Sequence, residues 1–160
     1  MSITTWTTLG FANVNATDTI DLLGSGYSIK GFEWDYTYGG DEYPKQQAPA
    51  NHPAHSFARA MTVTLEVLVK GSSESDYWTK RHNLVKTFLV DDGAQTAYYH
   101  GTLTGTPNGQ AQMYVKVNVT GINGPHDPDA AGAFTSTVTI TMRVDRGYWL
   151  KVSDDTVVKI

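Results

Sequence analysis

Apolar and polar residues alternate with a period of two along Met61–Lys70. Met61, Val63, Leu65, Val67 and Val69 fall on one side; Thr62, Thr64, Glu66, Leu68 and Lys70 fall on the other. Strict alternation predicts a strand with one buried face. The same period returns near the C-terminus, where Phe134, Ser136, Val138, Ile140, Met142 and Val144 share one face. Thr135, Thr137, Thr139, Thr141 and Arg143 share the opposite one. Between these strands the period changes. After Gly71-Ser72-Ser73, residues Tyr77, Arg81, Leu84, Val85 and Phe88 recur at helical spacing and make the core face of a helix over about 74–89, with Lys80, His82 and Lys86 turned away. Ser73 is a good N-cap, Asp76 three positions on completes an approximate capping box, Glu74 suits the positive helix end, and Asp91-Asp92-Gly93 stops the helix.

The remaining segments carry weaker signals. Gln95–Leu103 and Gln110–Thr120 read as a hairpin around Thr106-Pro107-Asn108-Gly109, where Asn-Gly supplies the positive backbone angles of a tight turn. On its second arm Met113, Val115, Val117 and Val119 share a face. Short strands are predicted at Thr4–Thr8 and Thr19–Leu23, and a longer one at Tyr27–Tyr38 after the turn Gly24-Ser25-Gly26. Ile29 and the pair Phe32/Trp34 have opposite parity, so a bulge near Gly31 is expected. Residues 39–56 carry Pro44, Pro49 and Pro53 and almost no aliphatic residues, which predicts a long loop. Tyr36, Tyr38, Tyr43, His52, His55 and Phe57 sit in or beside it and are candidates for a contact arm, since tyrosine supplies large contact area at low entropic cost. Residues 150–160 form a short polar tail that could add one more strand.

Composition narrows the function classes. The chain has 160 residues, a length that suits one domain, 1–160, with its own core. Its 18% charged residues fall below the roughly 25% usual in soluble chains, which suggests that part of the surface is covered. A net charge of -4 argues against tight nucleic-acid binding but not against nucleic acid sliding past. There is no cysteine, so thiol chemistry, disulfides and cysteine-ligated zinc are excluded. No signal peptide or membrane anchor is expected, and synthesis is placed in a cytoplasm.

Candidate chemistry is thin. His52 and His55 have the i, i+3 spacing of helical metal ligands, but Pro53 between them opposes a helix, and no third ligand is evident. Asp127/Asp129 and Asp91/Asp92 stand beside proline or glycine, where aspartate serves turns. No nucleophile elbow and no phosphate-cradling glycine loop is present. The sequence therefore predicts no enzyme, no cofactor and no metal site. The outward threonines are more telling. Exposed strands usually carry lysine and glutamate, whereas Thr135, Thr137, Thr139 and Thr141 suit a face that meets a neighbour or lines an enclosed channel, beside the plain alternative of high β-propensity on an ordinary exposed face.

The order strand, helix, hairpin, strand resembles the N-terminal domain of phage distal tail proteins, within the tail-tube fold family. The parallel residues are Met61–Lys70, the helix with Arg81 and Leu84, the Asn108-Gly109 turn, and the strand Phe134–Val144 ending in Asp145-Arg146-Gly147-Tyr148-Trp149. The resemblance covers about residues 27–149. It implies a mainly β (α+β) fold: a tail-tube-like β-sandwich or barrel with one packed helix and a long loop. It also implies a structural virion protein, a hexameric ring at the tail tip or baseplate hub of a long-tailed phage, with a tube protein above, hub or fibre proteins below, and DNA passing transiently and without specificity. Many distal tail proteins carry a further C-terminal domain, often carbohydrate-binding, which places a host-sugar role in doubt for this chain. Two rival readings stand beside it: a major tail tube protein forming stacked rings, and a monomeric carbohydrate-binding β-sandwich using Trp34, Tyr36, Tyr38 and Tyr98 as aromatic platforms.

Overall fold

The computed structural model describes residues 5–14, 17–40, 56–89, 99–125, 127–128, 133–144 and 148–158, with the side chains of 37–40 and 56–59 outside that description. Among the described residues, nine strands and one helix follow in the order β1 (Trp6–Asn13), β2 (Thr19–Asp21), β3 (Tyr27–Gly40), β4 (Ser56–Lys70), α1 (Glu74–Phe88), β5 (Gly101–Pro107), β6 (Met113–Asn123), β7 (Thr135–Val144), β8 (Trp149–Lys151) and β9 (Val157–Val158). The fold is mainly β with one helix, and its strands form one antiparallel sheet in the order β2-β1-β5-β6-β7-β4-β3, with β8 and β9 attached beside β6.

β6 belongs to two halves of that sheet. Its first residues, Met113–Val117, pair with β5, whereas Asn118–Asn123 pair with β7. The register shifts between Val119 and Gly121, leaving Thr120 as an extra residue whose hydroxyl donates to the Thr141 carbonyl at 3.1 Å. A bulge of this kind bends a strand and raises its twist, which lets one strand turn the corner between two sheet halves. The halves close on each other: Trp6 of β1 meets Phe32 of β3 at 5.2 Å between ring centroids, although β1 and β3 are far apart in strand order. Trp149 of β8 completes this aromatic group, 5.9 Å from Trp6, 6.1 Å from Phe32 and 5.8 Å from Trp34.

The alternation read from the sequence matches the burial. Met61, Val63, Leu65, Val67 and Val69 of β4 lie in the core with Val138, Ile140, Met142 and Val144 of β7. The bulge expected near Gly31 is present: Ile29 pairs with Val67 and Gly31 with Glu66, so Lys30 is the extra residue and Phe32 and Trp34 both turn inward. Other boundaries differ. β3 and β4 extend to Gly40 and from Ser56, beyond Tyr38 and Met61, because Tyr38, Gly39 and Gly40 pair with Ala58, Phe57 and Ser56. Ser56–Ala60 carries no alternation, so backbone pairing alone extends the strand there. The first strand runs Trp6–Asn13 instead of Thr4–Thr8, carried by its ladder to β5. Gly101–Gly105 of β5 pairs both β1 and β6. The turn at Pro107–Gln110 is closed by Gln110 N–H donating to the Pro107 carbonyl at 3.0 Å, and only Gly109 has a positive φ, 74°. It is therefore a type II-like turn inside a wider connection, not the two-residue hairpin that Asn-Gly suggested.

The helix packs with Tyr77, Leu84 and Phe88 buried, and Phe88 stacks on Phe11 of β1 at 4.1 Å. Ser73 is the N-cap, its hydroxyl accepting from Asp76 N–H at 3.2 Å. The Asp76 carboxylate returns to Ser72 N–H at 2.8 Å, one residue earlier than a capping box would place it, and also binds Lys80 Nζ at 2.7 Å. That lysine and the Ser72 amide hold the Asp76 carboxyl down to about 2. Gly71 is required where the strand meets the helix, since a Cβ there would lie 2.4 Å from the Tyr77 backbone nitrogen.

Candidate functional site

One side of β3-β4-β7-β6 covers the core, and its other side is open. Cross-strand register builds that open face. Thr141 lies between Thr64 and Gly121, Thr139 between Glu66 and Asn123, and Thr137 and Thr135 lie opposite Leu68 and Lys70. Arg143 stands between Thr62 and Asn118, and Glu33 and Asp35 extend the face onto β3 beside Thr64 and Thr62. All four threonines of β7 are half-buried. Cations stand at opposite ends of β7, beside Thr135 and at Arg143, and among the described residues the middle carries hydroxyls, Glu33 and Glu66. The surface is thus hydroxyl-rich with a weakly acidic centre.

Among the described residues, no further strand pairs with two edges of these four strands. β3 closes the strand order at one end with fourteen residues, and at the other the end of β6 has left β5. Where β5 and β6 separate, His100 holds the junction. Its N–H donates to the Val117 carbonyl at 2.9 Å, and its Nδ1 accepts from Val119 N–H at 3.0 Å.

Of the residues proposed for a contact arm, Tyr36 is half-buried on β3 and packs against the core. Tyr38 and Phe57 stand on paired strands with their side chains outside the description, and Tyr43, His52 and His55 lie outside the described residues. On the helix, Tyr77, Leu84 and Phe88 are buried, and Val85 is half-buried. Arg81 is also half-buried, but its Nε reaches out to donate to the Pro125 carbonyl at 3.3 Å. Trp34 cannot be an exposed platform, being 3% accessible, and Tyr98 lies outside the described residues. Asp91, Asp92 and Asp129 do as well. Among the described residues, no group of three or more His, Cys, Asp or Glu side chains could hold a metal, and no helix is long and apolar enough to cross a membrane.

A second feature has no local signature in the sequence. A cleft of about 680 Å³ opens beside β6, β8 and β9, lined by Tyr99, Tyr114 and Tyr148 together with Lys116, Asp155 and Leu150. Tyr114 and Lys116 are the outward positions of β6, alternating with buried Met113, Val115 and Val117. Their alternation was legible, but Tyr99 reaches them through the pairing of β5 with β6, and Tyr148 and Asp155 through that of β8 with β6.

No protein-family model and no curated protein matches the chain. Solved structures do. A chain of the phage p2 baseplate, in its activated conformation with strontium, aligns with 89% of this chain at a TM-score of 0.60 and 11% identity. The fold is similar to that of one part of a phage baseplate chain. The calcium form of the same activated baseplate gives a TM-score of 0.57 and 12% identity over the same share of this chain. The present chain spans 45% of the length of those baseplate chains, so the likeness concerns one part of them. Within this baseplate-type fold, the open sheet face and the tyrosine cleft stand on the two ends of β6.

Proposed function

We propose that this chain is a non-enzymatic structural subunit of a phage tail, acting in a ring at the distal end of the tail tube. The observation that carries the reading is the baseplate-type fold joined to a sheet whose open face is rich in threonine and poor in lysine. Four strands alternate in direction across β3-β4-β7-β6. Because the number is even, the β3 edge of one copy meets the β6 edge of the next in antiparallel sense, and the pattern repeats around a ring. Such head-to-tail contacts close by rotation. Six copies would give a barrel of about 24 strands, roughly 45–50 Å across between backbones at ordinary strand spacing and tilt. That is wider than a DNA duplex. Thr135, Thr137, Thr139 and Thr141 then line the channel, and a hydroxyl wall with few cations lets phosphates pass without holding them. The segment between β3 and β4, with Tyr43, His52 and His55 in it and Tyr36, Tyr38 and Phe57 on the strands that flank it, serves as the arm that reaches a neighbouring subunit. A tube protein on one side and hub or fibre proteins on the other are the partners, and the virion is the location.

Native mass spectrometry and negative-stain microscopy of the purified protein test this. A ring of six times 17.5 kDa, about 105 kDa, is expected. Long stacks of rings would assign it to the tube itself, and a monomer at high concentration, absent from phage particles, would overturn the proposal.

A further inference from the structure

We propose that the tyrosine cleft beside β6, β8 and β9 is a binding site for a neutral saccharide. The proposal is independent of ring formation, because every wall of the cleft comes from one chain. Its volume, about 680 Å³, falls within the range of small-ligand sites, which combine aromatic walls with a few placed polar groups.

The rings are held in place by charged neighbours. Lys116 Nζ sits 4.9 Å from the centre of the Tyr99 ring, a cation–π contact. The Tyr114 hydroxyl donates to Asp155 Oδ1 at 2.7 Å. Asp155 is presented by the turn between β8 and β9, where it takes a positive φ of 56° and its N–H donates to the Lys151 carbonyl at 3.0 Å. Thr156 N–H and hydroxyl both donate to Asp154 Oδ1, at 3.1 and 2.7 Å, fixing the same turn. Two tyrosines are thus anchored before any ligand arrives, which lowers the cost of ordering the site.

Charge and surface chemistry select the ligand. Among the described residues of the cleft, one cation and one carboxylate balance, and each already has a partner, so none of them favours a phosphate or a polyanion. A purely apolar ligand would strip water from the lysine, the carboxylate and the phenol hydroxyls without replacing it. A sugar ring suits both halves of the lining: its C–H faces lie on tyrosine faces and Leu150, and its hydroxyls reach the polar rim. An extended peptide strand from another copy is the competing occupant, and the test separates them.

The test is saturation-transfer NMR on the intact protein with glucose, galactose, mannose, N-acetylglucosamine and maltotriose, at up to about ten times a millimolar Kd. Transfer to the ring protons of at least one sugar is expected. Tyr148→Ala should weaken binding about tenfold, by loss of a stacking face. Tyr114→Phe, which keeps the ring but releases Asp155, should weaken it several-fold, with unchanged melting temperature showing that the fold persists. Tighter binding to a polysaccharide of the same sugar, per repeat, would assign the site to an extended surface glycan, and equal binding to the sugar itself. No transfer from any sugar, or transfer unchanged in both variants, overturns the proposal. Cleft tyrosines that become protected from iodination only when copies assemble, with no sugar bound, assign the site to a neighbouring copy and overturn it equally.

Discussion

The helix is pinned to the strand that bears the threonine face by one buried contact, and that contact sets a measurable cost. Tyr77 Oη and Ser136 Oγ lie 2.6 Å apart, and both residues are 0% accessible. Tyr77→Phe keeps the ring, and therefore the packing, but leaves the Ser136 hydroxyl without the phenol oxygen. Stranding a buried hydroxyl costs about 1–3 kcal/mol, whereas removing both partners together is nearly neutral. The single change should therefore lower stability by about 2 kcal/mol, or about 4–8 °C in melting temperature for a chain of this length. The double variant Tyr77→Phe/Ser136→Ala should recover at least half of that loss, because neither hydroxyl then remains. Urea denaturation at neutral pH, analysed as a double-mutant cycle, measures both quantities. If Tyr77→Phe is as stable as the parent, or if the two losses simply add, the contact does not fasten the helix to β7.

Four further outcomes follow. Trp149→Ala should cost about 3–5 kcal/mol, since it empties the centre of the Trp6, Phe32 and Trp34 group, and Trp149→Phe should cost much less because the indole N–H has no hydrogen-bond partner among the described residues; chemical denaturation compares them. The Asp76 carboxyl is lowered from 3.8 to about 2, so its contribution to stability is complete above pH 4 and is lost as pH falls toward 2; melting curves of Asp76→Asn should lack that acid-side decline. Thr137→Lys with Thr139→Lys should leave assembly intact and slow DNA release at low salt, and ejection kinetics identical to the parent would remove these residues from the channel wall. Replacing residues 41–55 by a short Gly-Ser turn should abolish ring formation while circular dichroism stays β-rich; normal assembly would dismiss the arm.

Legibility in the sequence followed the physics of each segment. β4 and β7 are long, and each buries one face, so a period of two was enough to give the inward set Met61–Val69 and Val138–Val144. Parity alone also located the Lys30 bulge, because Ile29 and Phe32 could not share a face otherwise. Ser73 could be recognised as a cap from its hydroxyl and position. Extensions such as Ser56–Ala60 could not be seen, since Phe57 and Arg59 share one parity and leave no alternation to read. Only the rival carbohydrate-binding reading made Trp34 a surface platform, and Trp34 is core, because aromatic content says nothing about which face a strand buries. The open threonine face was readable as alternation, while its neighbours Glu33, Gly121 and Asn123 needed strand order. The tyrosine cleft required three separated segments to meet, which no local pattern encodes.

Strand β6 ties the two halves of the molecule together through unbroken covalent backbone. Separating them is not a matter of peeling one sheet from another: Val117–Gly121 would have to unfold first. Stress applied to the open threonine face therefore runs directly along this strand toward the cleft side. The step at Thr120, where the regular ladder is interrupted, is the natural point of flexure, and there a small bend would be felt at both ends of the protein at once.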